Sequence, residues 1–327
     1  MTSLKKSKKS KIEETVNDID LKKLKSSGKS LKFPEFDDIK VSTKTFIIMT
    51  NLKIKLQNLF NFLPITDYIV IPKKRGRKKK SSVIDPNTDI KSGSIITMKF
   101  ENQFRGVDLK QKKTQTKKKS TKHFRNSFTI VIILDNKPIN FKICSNGMLQ
   151  VTGCKIDRHA EECVKYIWDF IKDEEDIYSF SRGDELEFLL IPAMRNIDFS
   201  VGFIVDREKL SRYMSTQTEF HSLLETSFGY TGVNIKLPIE KNITDMEIKK
   251  IKFRDGFWIE ETTNYEEYLT HLTPKERLKK INKERFNTFL IFHSGKVIMS
   301  SSCADFARDS YYYFLEIIRT CHDEIEE

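Results

Sequence analysis

Cysteine is scarce in this chain, and its few thiols form neither a metal-binding nor a disulfide pattern. The 327 residues include five cysteines with no Cys-x-x-Cys pair, and six histidines with neither zinc-protease nor zinc-finger spacing. An odd, scattered set of cysteines is typical of a reducing compartment, and it argues against structural zinc and against a disulfide framework. We therefore predict a protein that holds no metal and needs no cofactor.

Long apolar segments are missing as well. No run of apolar residues approaches the roughly 20 residues that cross a bilayer, and the charged N-terminus lacks the apolar stretch of a secretory signal peptide. Apolar content is 38% and charged content is 32%, which suggests a folded core with long polar appendages. These features predict a soluble, intracellular protein, or one packaged in a particle, with no membrane partner and no small-molecule substrate.

Positive charge, in contrast, is abundant and concentrated. The formal net charge is +12, and the excess lies in lysine-rich blocks at Lys5–Lys32, Lys73–Lys80 and Lys110–Arg125. Such blocks are usually disordered arms, and they commonly contact nucleic acid. The alternative interpretation is that they serve only as solubility tails or nuclear-import signals.

Two segments of the chain repeat one pattern. Phe141–Gly153 reads FKICSNGMLQVTG and precedes the helical DRHAEECVKYIWDFI, whereas Phe289–Ser301 reads FLIFHSGKVIMSS and precedes ADFARDSYYYFLEII. A shift of 148 positions superposes Gly147 on Gly295. A strand, glycine turn, strand and amphipathic helix that occur only twice indicate a pseudo-symmetric domain and not a solenoid.

The apolar pattern predicts a similar fold for each half. Each half ends in a helix with an apolar stripe, and the first of these helices should run to Ile171 with Asp157 as its N-cap. The second half should contain two separate strands, Glu187–Ile191 and Asn196–Ile204, and a helix at Asp206–Met214. We expect an α+β fold in which about five antiparallel strands per half join into one curved sheet, with the helices on its convex face.

Shifts in composition set the expected organisation along the chain. A basic, disordered arm should occupy residues 1–38. The other expected segments are a first repeat at 39–177 with basic inserts at about 72–93 and 108–125, and a second repeat at 178–327 with a mixed-charge, partly helical insert at about 240–287.

The repeated segment resembles the signature of the TATA-box-binding protein (TBP) family. The matching residues are Leu290, Ile291, Phe292, Ser294, Gly295, Lys296 and Val297 in the second repeat, and Ile143, Ser145, Gly147, Val151, Thr152 and Gly153 in the first. Thr45–Leu56, Arg195–Ile197 and Tyr230–Pro238 resemble further strands of the family. The basic inserts and the composition rich in lysine, isoleucine and asparagine are similar to the divergent TBP-like proteins of large nucleocytoplasmic DNA viruses.

The resemblance implies a saddle that binds double-stranded DNA. In the family, the concave sheet lies on a widened minor groove, and aromatic wedges between base steps bend the duplex by about 80°. The implied wedge positions are Phe128, Cys144, Tyr230 and Phe292. The implied groove-surface positions are Thr45, Gln150, Thr152, Asn196, Leu290, Ile298 and Ser300. The expected phosphate contacts are Arg75, Arg77, Lys117, Lys118, Lys119 and Lys296.

Three residues depart from the family pattern. Cys144 is too small to hold a base step open as a ring does, so Phe124 or Phe141 is a candidate to compensate for it. Lys142 stands where the family has leucine. Asp198, where the family has valine, brings a carboxylate toward the phosphates. These departures bear on TATA selectivity and on kinking by the first half.

The leading hypothesis is therefore a non-enzymatic transcription-initiation factor. It would bind promoter DNA and recruit a TFIIB-like factor and RNA polymerase, in a viral factory in the host cytoplasm or nucleus, or be packaged in the virion. The alternative is an architectural or packaging DNA-binding protein that has lost TATA selectivity. Related folds occur in DNA-repair glycosylases, but the sequence has no paired carboxylates at metal spacing, no P-loop and no helix–hairpin–helix-like stretch, and this disfavours an enzyme.

Overall fold

The chain is described by a computed structural model over residues 31–70, 86–109, 126–218, 220–225 and 232–327. The predicted N-terminal arm and both predicted basic inserts lie mostly outside these ranges. None of the helices in the described ranges combines the length and the apolar character that a membrane crossing needs.

Fifteen strands and six α-helices lie within the described ranges. The strands are β1 (Val41–Thr50), β2 (Leu52–Ile54), β3 (Ile95–Phe100), β4 (Gln103–Gly106), β5 (Ser127–Leu134), β6 (Lys137–Cys144), β7 (Met148–Cys154), β8 (Tyr178–Phe180), β9 (Glu187–Ser200), β10 (His221–Glu225), β11 (Gly232–Pro238), β12 (Glu247–Arg254), β13 (Phe257–Asn264), β14 (Phe286–Phe292) and β15 (Lys296–Ser301). The helices are α1 (Leu56–Phe62), α2 (Arg158–Ile171), α3 (Arg207–Gln217), α4 (Tyr265–Thr270), α5 (Pro274–Ile281) and α6 (Ala304–Ile325), with short 3-10 helices at Phe36–Asp38 and Ile243–Asp245.

One antiparallel sheet runs through both halves in the order β10-β11-β14-β15-β9-β1-β7-β6-β5-β3-β4. The order is pseudo-symmetric about the central pair β9 and β1, because β15, β14 and β11 on one side correspond to β7, β6 and β5 on the other. The hairpin of β12 and β13 attaches to the N-terminal part of β9, and β2 pairs with β8 in a separate small sheet. This open sheet with its helices confirms the predicted α+β fold class.

Helices cover one face of the sheet, and two separate hydrophobic cores lie between the helices and the sheet. In the first half, α1 and α2 pack on buried strand residues such as Ile48 and Phe141. In the second half, α3 and α6 cover the sheet, and the Phe289 ring stacks on Phe314 with 4.3 Å between the ring centroids. Successive strand residues point to opposite faces, so the residues between the buried ones form the other face, which we call the groove face.

A glycine turn makes the same contact in each half. Gly147 and Gly295 have φ angles of 80° and 73°, which glycine adopts without a steric cost. A Cβ at Gly147 would lie 2.1 Å from the carbonyl oxygen of Leu52, and a Cβ at Gly295 would lie 2.1 Å from that of Phe203. Each turn therefore packs directly against the segment that follows the first strand of its half.

One local prediction is wrong, and two others are incomplete. β9 is one continuous strand of 14 residues, because its pairing with β1 continues past an irregularity opposite Thr45 and Phe46. Asp157 occupies the N-cap position of α2, as predicted, but its side chain makes no capping hydrogen bond and instead accepts a hydrogen bond from Lys44 Nζ at 2.6 Å. The insert contains the hairpin of β12 and β13 in addition to the predicted helical segment, which ends at Ile281.

Candidate nucleic-acid interface

The seven predicted groove-surface residues lie on the groove face. Thr45 of β1 pairs directly with Thr152 of β7, and Asn196 of β9 pairs with Ser300 of β15. The other three residues lie beside these pairs on the same strands or on β14, and they are Gln150, Leu290 and Ile298. The pairing brings side chains from distant parts of the sequence into two short rows at the centre of the sheet. Gln150 is exposed, whereas Thr45 is only 8% exposed.

The repeat makes the polarity of the two halves directly comparable. Across the first half, Ile47, Gln150 and Lys142 stand side by side on β1, β7 and β6. The equivalent residues of the second half, on β9, β15 and β14, are Asp198, Ile298 and Leu290. In this row, the side chains of β7 and β6 in the first half are therefore polar, whereas those of β15 and β14 in the second half are apolar.

Asn196 and Asp198 give β9 two different polar groups on this face. The Oδ1 atom of Asn196 is buried and has no hydrogen-bond partner within the described ranges, so the carboxamide can turn toward a ligand. Asp198 is exposed, and one of its carboxylate oxygens accepts a hydrogen bond from the Ser42 hydroxyl at 3.3 Å. A carboxylate at this position is unfavourable for an approaching phosphate.

Cys144 and Phe292 occupy equivalent positions at the ends of β6 and β14. Both side chains are half-buried and follow a buried isoleucine, Ile143 or Ile291, so they point to the groove face. Burial raises the pKa of the Cys144 thiol, although Lys142 opposes the shift. The thiol is therefore neutral at physiological pH, and it offers a small wedge where Phe292 offers a ring.

Phe128 does not lie on the groove face, so its assignment as a wedge is wrong. The ring is fully buried in the first core, with its centroid 5.6 Å from that of Phe60 and 6.3 Å from that of Phe100. Phe141 is buried in the same core and cannot compensate for Cys144 there.

The strand register aligns the β5–β6 hairpin with the β11–β14 pair. Ser127 pairs with Cys144 as Gly232 pairs with Phe292. Tyr230 lies two residues before Gly232, and the residue two before Ser127 is Arg125, next to Phe124. These three residues lie outside the described ranges. The wedge role of Tyr230 and the compensating role of Phe124 therefore remain predictions.

Among the predicted phosphate contacts, only Lys296 belongs to the described residues. It is exposed at the start of β15, directly after the glycine turn. The others, Arg75, Arg77, Lys117, Lys118 and Lys119, fall outside the described ranges, and their role remains a prediction.

No pattern in the sequence indicates where the insert between β11 and β14 lies. Tyr265, Tyr268 and Leu269 of α4 pack on Leu189 and Ile191 of β9, which are residues of the groove face. Two adjoining clefts of about 500 and 410 Å³ separate the insert from the sheet. The insert therefore forms a wall along one side of the groove face.

Comparisons with known proteins found two relatives from large DNA viruses and one solved structure. No family model matches the chain. Protein 335L of Invertebrate iridescent virus 6, which is uncharacterised, is 25% identical over 219 residues, covering 63% of this chain and 64% of that protein. A protein of Acanthamoeba polyphaga mimivirus named TATA-box-binding protein-like is 29% identical over 189 residues, covering 49% of this chain and 50% of that protein. The chain thus spans between half and two thirds of the length of these relatives.

A solved structure is also similar. The TBP of Methanococcus jannaschii matches over 88% of this chain and 99% of its own, with 13% identity and a TM-score of 0.44. The name of the mimivirus relative is the one that the repeat predicted, and the resemblance to viral TBP-like proteins is confirmed.

Proposed function

We propose that this protein is a TBP-like, non-enzymatic transcription-initiation factor. The groove face would lie on the minor groove of promoter DNA. The helices on the opposite face would remain accessible to a TFIIB-like factor and to RNA polymerase.

The observation that carries the proposal is the doubled pair of donor side chains at the centre of the groove face. Thr45 with Thr152, and Asn196 with Ser300, place hydroxyl and carboxamide groups at equivalent positions of the two halves. The Thr152 hydroxyl donates to the Asn140 carbonyl oxygen at 3.3 Å and would turn from it to a base edge. The minor-groove edges of A·T pairs present only acceptors, so donors placed there favour A·T-rich DNA. Phe292, at the end of β14, supplies a ring for insertion into a base step.

The polar first half favours a second candidate, an architectural or packaging protein that binds DNA without TATA selectivity. Lys142 and Gln150 replace the apolar contacts that Leu290 and Ile298 offer in the second half. Lysine also binds phosphate as a point charge with little sequence preference.

Binding and bending of matched duplexes separate the two candidates. The initiation factor should bind an A·T-rich duplex more tightly than a G·C-rich duplex of equal length by at least about tenfold, since each mismatched base pair typically costs about 1–3 kcal/mol. The bend should appear as a change in energy transfer between dyes at the duplex ends. Equal affinities with an unbent duplex would instead favour the architectural protein. Formation of a ternary complex with a purified TFIIB-like factor tests recruitment separately.

A further inference from the structure

The insert replaces a tight turn of the first half with a folded wall. In the first half, β5 and β6 are joined at Asp135 and Asn136, whereas residues 239–285 join β11 to β14. Pairing of β12 with β9 attaches the wall to the sheet. Lys250 of β12 adds salt bridges to Glu187 of β9 at 3.2 Å and to Glu267 of α4 at 2.8 Å. The wall is therefore held in a defined position beside the groove face.

A trough runs between this wall and the sheet, formed by the two adjoining clefts. Its floor includes the groove-face residues Met194, Thr288 and Ser300, and both clefts share Lys236, Glu284, Arg285 and Phe286. Because the clefts share these residues, the trough extends from the centre of the sheet toward β10. Its floor is continuous with the surface that we assign to DNA.

Lysine side chains line the trough, together with one carboxylate, that of Glu284. Lys236 stands on β11, and Lys280 and Lys283 stand at and after the end of α5. Within the described ranges, none of these three lysines forms a salt bridge, whereas other lysines of the insert do. Lys249, Lys250 and Lys252 each lie within 2.8–3.3 Å of a glutamate oxygen. The trough lysines are thus available for an anion.

The end of α5 is fixed so that these charges stay close together. The Arg285 guanidinium donates hydrogen bonds to the carbonyl oxygens of Lys280 at 2.6 Å and of Lys283 at 2.9 Å. The Lys280 ammonium lies 5.7 Å from the centroid of the Tyr268 ring. Partial burial, and then the nearby charges of Lys283 and Arg285, lower the pKa of Lys280. A bound anion would relieve this mutual repulsion.

We propose that the trough holds the phosphodiester backbone of one strand of the bound duplex, and this proposal rests on the proposed function above. A protein surface that reaches base edges in the minor groove has one backbone on each side of it. The wall rises on one of those sides and presents lysines to it. One residue opposes the arrangement, because Glu284 also lines both clefts.

The salt dependence of DNA binding tests the trough in the full-length chain. Each phosphate contact contributes about 0.9 to the slope of log K against log salt concentration, so the Lys280→Gln/Lys283→Gln double variant should lower the slope by about 1.8. The readout is fluorescence anisotropy of a labelled A·T-rich duplex over a series of salt concentrations. Both lysines are exposed, so the variant should fold, which thermal unfolding checks.

Two further variants make the result specific. Lys275→Gln is the matched control, because Lys275 is exposed on the same helix and lines neither cleft, and its slope should equal that of the wild type. Glu284→Gln should tighten binding by removing a carboxylate from the trough. If the double variant keeps the wild-type slope, the trough does not hold the backbone, but the proposed function still stands. A wild-type protein that binds no duplex overturns both.

Discussion

At the scale of single residues, the repeat allows two side chains at equivalent positions to be compared within one molecule. Cys144 and Phe292 end equivalent strands, follow equivalent buried isoleucines and point to the same face. They differ in size and in aromaticity. An aromatic ring can stack on a base and hold a step open, whereas a thiol cannot. We infer that Phe292 makes the larger contribution to bending.

Replacement of Phe292 with alanine should therefore weaken DNA binding by about 1–3 kcal/mol, the usual effect of losing a ring stacked on a base. Cys144→Ala is the matched control and should change binding by less than about 0.5 kcal/mol. Energy transfer across a duplex labelled at both ends should show a smaller bend only for Phe292→Ala. Wild-type bending by both variants would show that Phe292 is not a wedge.

At the scale of elements, the glycine turns explain why the repeated motif keeps its glycine. The carbonyl oxygen of Gly147 accepts a hydrogen bond from the Thr50 amide at 3.2 Å, and that of Gly295 accepts one from the Val201 amide at 2.9 Å. The turn, the first strand and the segment after it are thereby joined in each half. A side chain at either glycine would displace a backbone carbonyl group.

Gly295→Ala should consequently lower the free energy of unfolding by about 2–5 kcal/mol, the sum of left-handed strain and overpacking. Gly153→Ala provides the comparison, because Gly153 also has a positive φ, of 86°, but a Cβ there would meet no atom within 4 Å. It should cost only the strain, about 1–2 kcal/mol. Urea denaturation measures both values, and equal losses would rule out the steric contribution of Phe203.

At the scale of the whole molecule, a cluster of charged residues holds the insert on the sheet. Burial tends to raise the pKa of Glu187, but hydrogen bonds from Arg182 and Lys250 outweigh it and lower the pKa. A hydrogen bond from Lys250 lowers the pKa of Glu267. Burial and the Arg182 charge lower the pKa of His271, whose Nδ1 accepts a hydrogen bond from Arg182. Because all three pKa values are lowered, the deprotonated forms of these groups stabilise the attachment of the insert.

Attachment should therefore weaken as the pH falls. The contribution of the two glutamates is fully present above their ordinary value of 4.5 and is lost as the pH drops through their lowered pKa values. The contribution of His271 begins to fall below its ordinary value of 6.5. Amide hydrogen exchange in α4 and α5 should accelerate over this range. Glu267→Gln should exchange faster at neutral pH and respond less to acid, and an unchanged response would contradict this coupling.

Much of the fold could be predicted because its signals are local. The alternation of apolar residues identifies the buried side of β6 and β14, and the glycine turn identifies where each strand reverses. The groove-surface residues were implied by the resemblance to the TBP family, and the same alternation places them opposite the buried residues of their strands. Phe128 was misassigned because an aromatic residue at the start of an apolar strand fits either face until its pairing partner is known.

The sequence by itself determined the repeat, the fold class and the face of the sheet on which most candidate residues lie. These depend on the period of side chains along a strand and on the backbone freedom of glycine, which are properties of short segments. Only the tertiary structure decided that Phe128 belongs to the core and that residues 239–285 form a wall beside the groove face. Both depend on register and packing between residues far apart in the chain, which no local pattern encodes.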